Sequence, residues 1–253
     1  MARTPASTGV VAKAKINLPV NVSQALAAEV ASMTNRIGAP GGDRIKITQG
    51  KRFRMPSGEE HAGPLMAVIV DVVSANFLYD GAYDPNDITP PICAAIGADI
   101  ASLAPFDDAV DKQCDTCAAC PQNQFGSKGK GKACQNTRLL ALLTPDADVD
   151  SPLMVLKVSP TALRSFDGYV ASIARSFQMP PLGVITEISL DPNVDYPTLR
   201  FGNPQPADGA LVSLALSRRE EARTRLSTKP DFAAVVEAKA ATKSKASVSR
   251  RGR

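Results

Sequence analysis

LMAVIVDVVSANF, residues 65–77, is the stretch whose reading decides the fold. It is rich in Val and Ile, which favour a pleated, packed backbone, so it reads as the strongest strand of the chain. Its most apolar part, residues 67–75, is far shorter than the roughly 20 residues a membrane helix needs, and it contains Asp71. The pattern continues toward Tyr79. Asn76-Phe77-Leu78-Tyr79 alternates with period two, which predicts that Phe77 and Tyr79 share a face.

On the N-terminal side, Arg44-Ile45-Lys46-Ile47-Thr48 alternates basic and apolar, the mark of a half-buried strand with a cationic outer face. Gln49-Gly50 is a turn. Lys51-Arg52-Phe53-Arg54-Met55 is the next extended piece, and Pro56-Ser57-Gly58 turns again. Residues 22–36 predict an amphipathic helix capped by Ser23, with Leu26, Val30 and Met33 at helical spacing. Residues 1–21 are expected to form a flexible arm.

On the C-terminal side, residues 80–137 break the β pattern. They carry all 5 cysteines and predict an insertion folded around metal, with a helix over about 94–104. Strands resume at Arg138–Leu143 and Leu153–Val158. Pro160 opens a helix to Phe177, with Leu163, Phe166, Val170 and Ile173 on one face. Gly183–Leu190 and Pro197–Phe201 complete the strands, and 212–226 predicts a charged helix. The expected fold is mainly β (α+β): an OB-like small barrel at 22–227, with flanking helices and an inserted cysteine-rich zinc subdomain. A basic, low-complexity tail is expected over 228–253.

The chain has 253 residues, 44% of them hydrophobic, enough for a sizeable core. Aromatic residues are only 5%, and tryptophan is absent. The N-terminal segment has no continuous apolar run, so no signal peptide is read, and a soluble cytosolic protein is expected. In a reducing compartment, clustered cysteines point to metal before disulfide.

Zinc takes four thiolates in a tetrahedron, and a Cys-x2-Cys knuckle supplies two from one turn. Two overlapping knuckles exist, Cys114/Cys117 and Cys117/Cys120. The assignment favoured is Cys93, Cys117, Cys120 and Cys134, a closed structural zinc site with Cys114 as the spare thiol; the Cys114/Cys117 register stays open. Four thiolates leave no open position for catalysis.

The net charge is only +4, but basic residues cluster. One group is Arg44, Lys46, Lys51, Arg52 and Arg54, a second is Lys128, Lys130 and Lys132, and a third crowds the C-terminal tail. Such clusters attract phosphates by counterion release. Residues 126–133 nearly match a phosphate-binding P-loop, yet Ala133 stands where the magnesium hydroxyl is required and a cysteine knuckle precedes the loop. Nucleotide hydrolysis is therefore not expected. Glycines that expose backbone N–H groups beside three lysines remain a suitable phosphate contact.

Pro90-Pro91-Ile92-Cys93, then Cys117-x2-Cys120-Pro121-x-Asn123-x-Phe125-Gly126-Ser127, then Gly129-Lys130-Gly131-Lys132-Ala133-Cys134 resemble a pattern in a group of tailed-bacteriophage single-stranded DNA-binding proteins. Phe77-Leu78-Tyr79-Asp80, the run from Arg138 and the Pro160-Thr161 helix start extend the resemblance over about 43–202. Phage single-strand binding proteins of the T4 type similarly carry a zinc subdomain in an OB-fold. The resemblance implies a non-enzymatic protein of viral DNA replication or recombination, working in the host cytoplasm. Its partners would be single-stranded DNA or RNA and other replication or recombination proteins. The basic tail departs from the acidic, partner-recruiting tail usual in replicative members. The expected nucleic-acid contacts are Arg44, Lys46, Lys51, Arg52, Arg54, Lys128, Lys130 and Lys132 for phosphates, with Phe53, Phe77, Tyr79 and Tyr83 stacking on bases. Two other readings compete: a nuclease holding magnesium on Asp80, Asp84 and Asp87, and a zinc-stapled viral interaction or transcription-regulatory protein.

Overall fold

A computed structural model describes residues 43–81 and 90–233, together with Val22. Apart from Val22, these residues belong to one unit beginning at Asp43. The expected N-terminal arm, the helix over 22–36, Tyr83, Asp84, Asp87 and the tail beyond residue 233 lie outside the described residues.

Nine strands form one mixed sheet: β1 (Arg44–Ile47), β2 (Phe53–Arg54), β3 (Glu60–His61), β4 (Leu65–Leu78), β5 (Cys93–Gly97), β6 (Gln135–Leu143), β7 (Met154–Val158), β8 (Val184–Leu190) and β9 (Leu199–Pro206). Among the described residues from Asp43 on, three α-helices accompany them: α1 (Leu163–Phe177), α2 (Gly209–Ser217) and α3 (Arg219–Leu226). The strand order is β3-β2-β1-β7-β6-β4-β8-β9, with β5 also on β4. Only β1 and β7 run parallel; the other pairs are antiparallel. The sheet curls into a half-barrel, so the mainly β expectation holds at that level.

The long strand organises everything else. β4 has 14 residues, which at about 3.3 Å per residue spans roughly 45 Å. β6 pairs with it over Val68–Phe77. The other edge is shared: β8 takes Leu65–Val68, and β5 takes Ser74–Leu78. The register to β6 slips between Ile69 and Asp71, leaving Val70 as the extra residue of a β-bulge. The slip switches the side-chain phase. Before it, Val68 and Val70 face the first core cluster; after it, Val73, Ala75 and Phe77 do. Phe77 and Tyr79 do share a face, with ring centroids 6.4 Å apart.

Each face of the sheet has its own core. On the first, Leu139, Ala141, Leu143, Leu153 and Val155 pack against Leu211 and Ala215 of α2 and Ala222 and Leu226 of α3. On the second, Ile45, Phe53, Ile69, Leu140, Leu142, Leu156 and Ile188 pack against Phe166 of α1. Helix α1 ends at Phe177 as predicted, after a 3-10 turn at Pro160–Ala162 where the helix was expected to open, and its C-cap Gln178 adopts the left-handed conformation (φ 51°) that stops it. Leu140 is fully buried between its register partners Val72 and Leu156. Leu140→Ala should therefore cost about 2–5 kcal/mol, read as a lower urea midpoint at unchanged slope. A loss below about 1 kcal/mol would contradict this packing.

Three elements differ from expectation. Residues 93–97 form strand β5 rather than the start of a helix, because the free edge of β4 satisfies their backbone groups. The predicted helix over 212–226 is two helices, broken at Arg218, whose guanidinium donates to the Val149 and Ser151 carbonyls. The packed chain also runs past 227: Phe232 is buried edge-on against Phe106, and Lys229 pairs with Asp108. Among the described residues, no helix is long and apolar enough to cross a membrane.

Candidate functional site

The C-terminal end of β4 separates two features. Phe77 and, just beyond the strand, Tyr79 lie beneath the Lys157 ammonium. The even-numbered side chains, Asn76 and Leu78, line a cavity walled by cysteines.

The cations come from β1, β2 and β7. Strand alternation sends Ile45 into the core and leaves Arg44 and Lys46 exposed. Arg44 lies in register with Val155 of β7, and its charge acts on Lys157 two residues further along that strand. Lys46 lies in register with Arg54 of β2. The Lys157 ammonium sits 4.9 Å from the Phe77 ring centroid and 5.7 Å from that of Tyr79, a cation–π arrangement. Burial of Lys157, reinforced by the Arg44 charge, pulls its pKa down to about 8. Burial raises that of Tyr79, partly offset by Arg44. Among the described residues, Arg44, Lys46 and Lys157 form no ion pair with a carboxylate. Crowding unpaired cations on one face is unfavourable unless an anion joins them.

The remaining predicted contacts are placed differently from one another. Arg52 is exposed, and Arg54 is exposed but paired with Glu60 at 2.7 Å. Lys51 is turned aside: its ammonium donates to the Pro192 and Val194 carbonyls in the β8–β9 loop. Phe53 is only 1% exposed and belongs to the second core, so its ring offers no free stacking face. Phe77, at 6%, is likewise core and serves as the floor under Lys157. Tyr79 is half-buried.

All five cysteines are free thiols, and all five line the one cavity, with Asn76 and Gln113 beside them. Burial and the neighbouring sulfurs push Cys93 up to about 11 and Cys134 up to about 12. Cys114 is pushed up to about 12 by burial and by its hydrogen bond with Cys120. Burial also raises Cys117, against a hydrogen bond from the Asn76 side chain. Among the described residues, no group of three or more His, Cys, Asp or Glu is already arranged to hold a metal ion. The donor set nevertheless fits a thiophilic metal: five sulfurs converge, no carboxylate or imidazole lines the cavity, and N–H groups of Asn76 and Gln113 bond to sulfur.

From this cavity the chain leaves as a tight tip, residues 121–134, before entering β6. Gly126 and Gly129 have φ of +93° and +59°, which only glycine adopts easily, and Lys128 and Gly131 close the turn as a bridge. A 3-10 turn precedes the loop and a strand follows it, unlike the strand–loop–helix context of a P-loop. Lys128 and Lys130 are exposed. Lys132 is half-buried and donates to the side-chain oxygens of Asn136 (3.1 Å) and Asn123 (3.4 Å). Asn136 in turn donates to Asn76 (2.7 Å) and Asn123 (2.8 Å), fastening the tip to β4.

Two residues escape the sequence reading. Lys157 lies in an apolar strand and gains its meaning only from the Arg44 register across the parallel β1–β7 pair. Phe125 reads as part of a cysteine motif, yet its side chain is 81% exposed. Compared with protein-family models, curated proteins and solved structures, the chain matches none.

Proposed function

We propose that this protein binds single-stranded nucleic acid without catalysis, with its phosphates running over Lys157, Arg44 and Lys46. The observation that carries the reading is that Lys157 lies over the Phe77 and Tyr79 rings, with the Arg44 charge acting on it and Lys46 exposed next along β1, and that none of the three pairs with a carboxylate among the described residues. Arg52, Lys128 and Lys130 extend the positive surface. Single-strand binders combine a cationic track with aromatic rings, because every base has a π face and every nucleotide a phosphate.

The strand connectivity supports an OB-type barrel. β7-β6-β4-β8-β9 has the pairing order of such a barrel, with α1 between the third and fourth of its strands in chain order. The free edge of β7 is taken by β1 rather than by β9. The resemblance to tailed-bacteriophage single-stranded DNA-binding proteins favours DNA as the ligand. It also favours a place in viral replication or recombination in the host cytoplasm. Cys93, Cys117, Cys120 and Cys134 would hold a structural zinc ion, which would brace the insertion and its tip; Cys114 is the fifth thiol.

The deciding measurement is a mobility-shift series on oligo-dT, duplex DNA and RNA across salt concentrations. Tight oligo-dT binding that weakens steeply with salt is expected. No shift at low salt would refute the reading, and metal-dependent loss of the oligonucleotide would point to a nuclease instead.

Lys157 makes a further prediction. With its pKa near 8, it is largely protonated at pH 7 and largely neutral at pH 9. A bound phosphate favours the protonated form, so oligo-dT affinity should fall as pH rises from about 7 to 9, on the order of five- to tenfold through this group. Lys157→Arg keeps its charge and should flatten the profile. Equal profiles for both proteins would remove Lys157 from the phosphate track.

A further inference from the structure

Phe125 sits where an apolar ring has little reason to be. It is the most exposed of the large apolar side chains among the described residues. Its neighbours are pinned. The Gln124 side-chain amide donates to the Ala118 and Cys120 carbonyls at 3.0 and 3.3 Å. The single proton of the Ser127 hydroxyl is shared between the Gln124 carbonyl at 2.6 Å and the Gln122 carbonyl at 3.0 Å, and its oxygen accepts from the Ala133 N–H at 2.9 Å. Gly126 N–H donates to the Gly131 carbonyl at 2.9 Å. The backbone on either side of the ring is therefore fixed.

The surroundings are cationic. The Lys132 ammonium lies 5.1 Å from the ring centroid, held by Asn123 and Asn136. Lys128 and Lys130 follow on the same tip, with no ion pair among the described residues. No other large apolar side chain of the tip is exposed, so this is one ring among cations rather than an apolar patch. The tip runs into β6, whose first residue, Gln135, lies in register with Phe77. It therefore joins the sheet at the end where Lys157 and Tyr79 lie.

We propose that Phe125 is a stacking platform for an unpaired nucleobase, with Lys128 and Lys130 taking the adjoining phosphates. An exposed π face with one ammonium over it and two exposed lysines on the same turn matches a nucleotide, which is a flat base joined to an anion. The inference rests on the single-strand reading above and adds the residue that grips a base.

The absence of tryptophan from the 253 residues provides a clean test in the whole of this chain. Phe125→Trp places a sole indole at the tip. Its emission should be quenched by oligo-dT and left unchanged by an abasic oligomer of equal length. Phe125→Ala should weaken oligo-dT binding about tenfold while leaving the salt slope, metal content and melting temperature as in the parent, because a neutral ring releases no counterions. Unmoved indole emission during normal oligo-dT binding, or equal quenching by the abasic oligomer, would overturn the platform and leave the single-strand reading intact. A Phe125→Ala loss accompanied by loss of metal or a lower melting temperature would overturn it as a merely structural effect. No oligo-dT binding by the parent would overturn both.

Discussion

Replacing Arg44 and Lys46 by alanine and Lys157 by methionine, all in one protein, is expected to weaken oligo-dT binding roughly a hundredfold near 0.1 M salt. Each side chain is assigned one phosphate. A single-strand contact releases about 0.7 of a counterion, so the slope of log affinity against log salt should shrink by about 2. Methionine at 157 keeps an apolar stem over Phe77, so the fold loses little. Arg175→Ala, on the exposed surface of α1, is the matched control and should change neither quantity. The slope is the sharper readout, because general destabilisation lowers affinity without changing the number of ions released. A triple variant with the parent's slope would show that phosphates travel elsewhere.

The second large effect concerns the cysteines. Protein prepared with zinc should carry about one ion per chain. Cys117→Ser or Cys120→Ser, or a strong chelator, should remove it. Structural zinc contributes an apparent 10–16 kcal/mol in zinc-finger peptides, far more than a small insertion gains from its own packing. The loss should be local, since β6 through β9 pair among themselves and with β4. Hydrogen exchange should accelerate at Cys117 and Cys134, whose N–H groups bond to the Leu103 and Gln122 carbonyls, and remain slow in the paired strands. Cys114→Ser should retain the ion. A zinc content well below one per chain would dismiss the site, and a Cys114→Ser variant that loses zinc as Cys117→Ser does would reassign its ligands.

Much of this fold is legible without coordinates because its strands obey period two and its main helix obeys 3.6. The end of α1 at Phe177 and the sharing of a face by Phe77 and Tyr79 follow from pattern alone. Fates that depend on a partner do not. Residues 93–97 look helical in isolation and become β5 because β4 has a spare edge. Phe53 reads as an aromatic in a basic strand, but the curl of the sheet closes over it. Phe232 reads as part of a low-complexity tail until Phe106 covers it.

The sequence by itself determined the long apolar strand, the basic alternation at Arg44 and Lys46 and the spacing of the cysteines, because each is a local pattern. Only the tertiary structure decided that the five thiols meet at one cavity, that Lys157 and Arg44 become neighbours over Tyr79, and that Phe125 stands in solvent. The meeting of Arg44 and Lys157 depends on the parallel pairing of β1 with β7, and the side-chain phase that turns Phe77 toward them depends on the bulge at Val70. Register between segments about a hundred residues apart is set by packing, which no local pattern encodes.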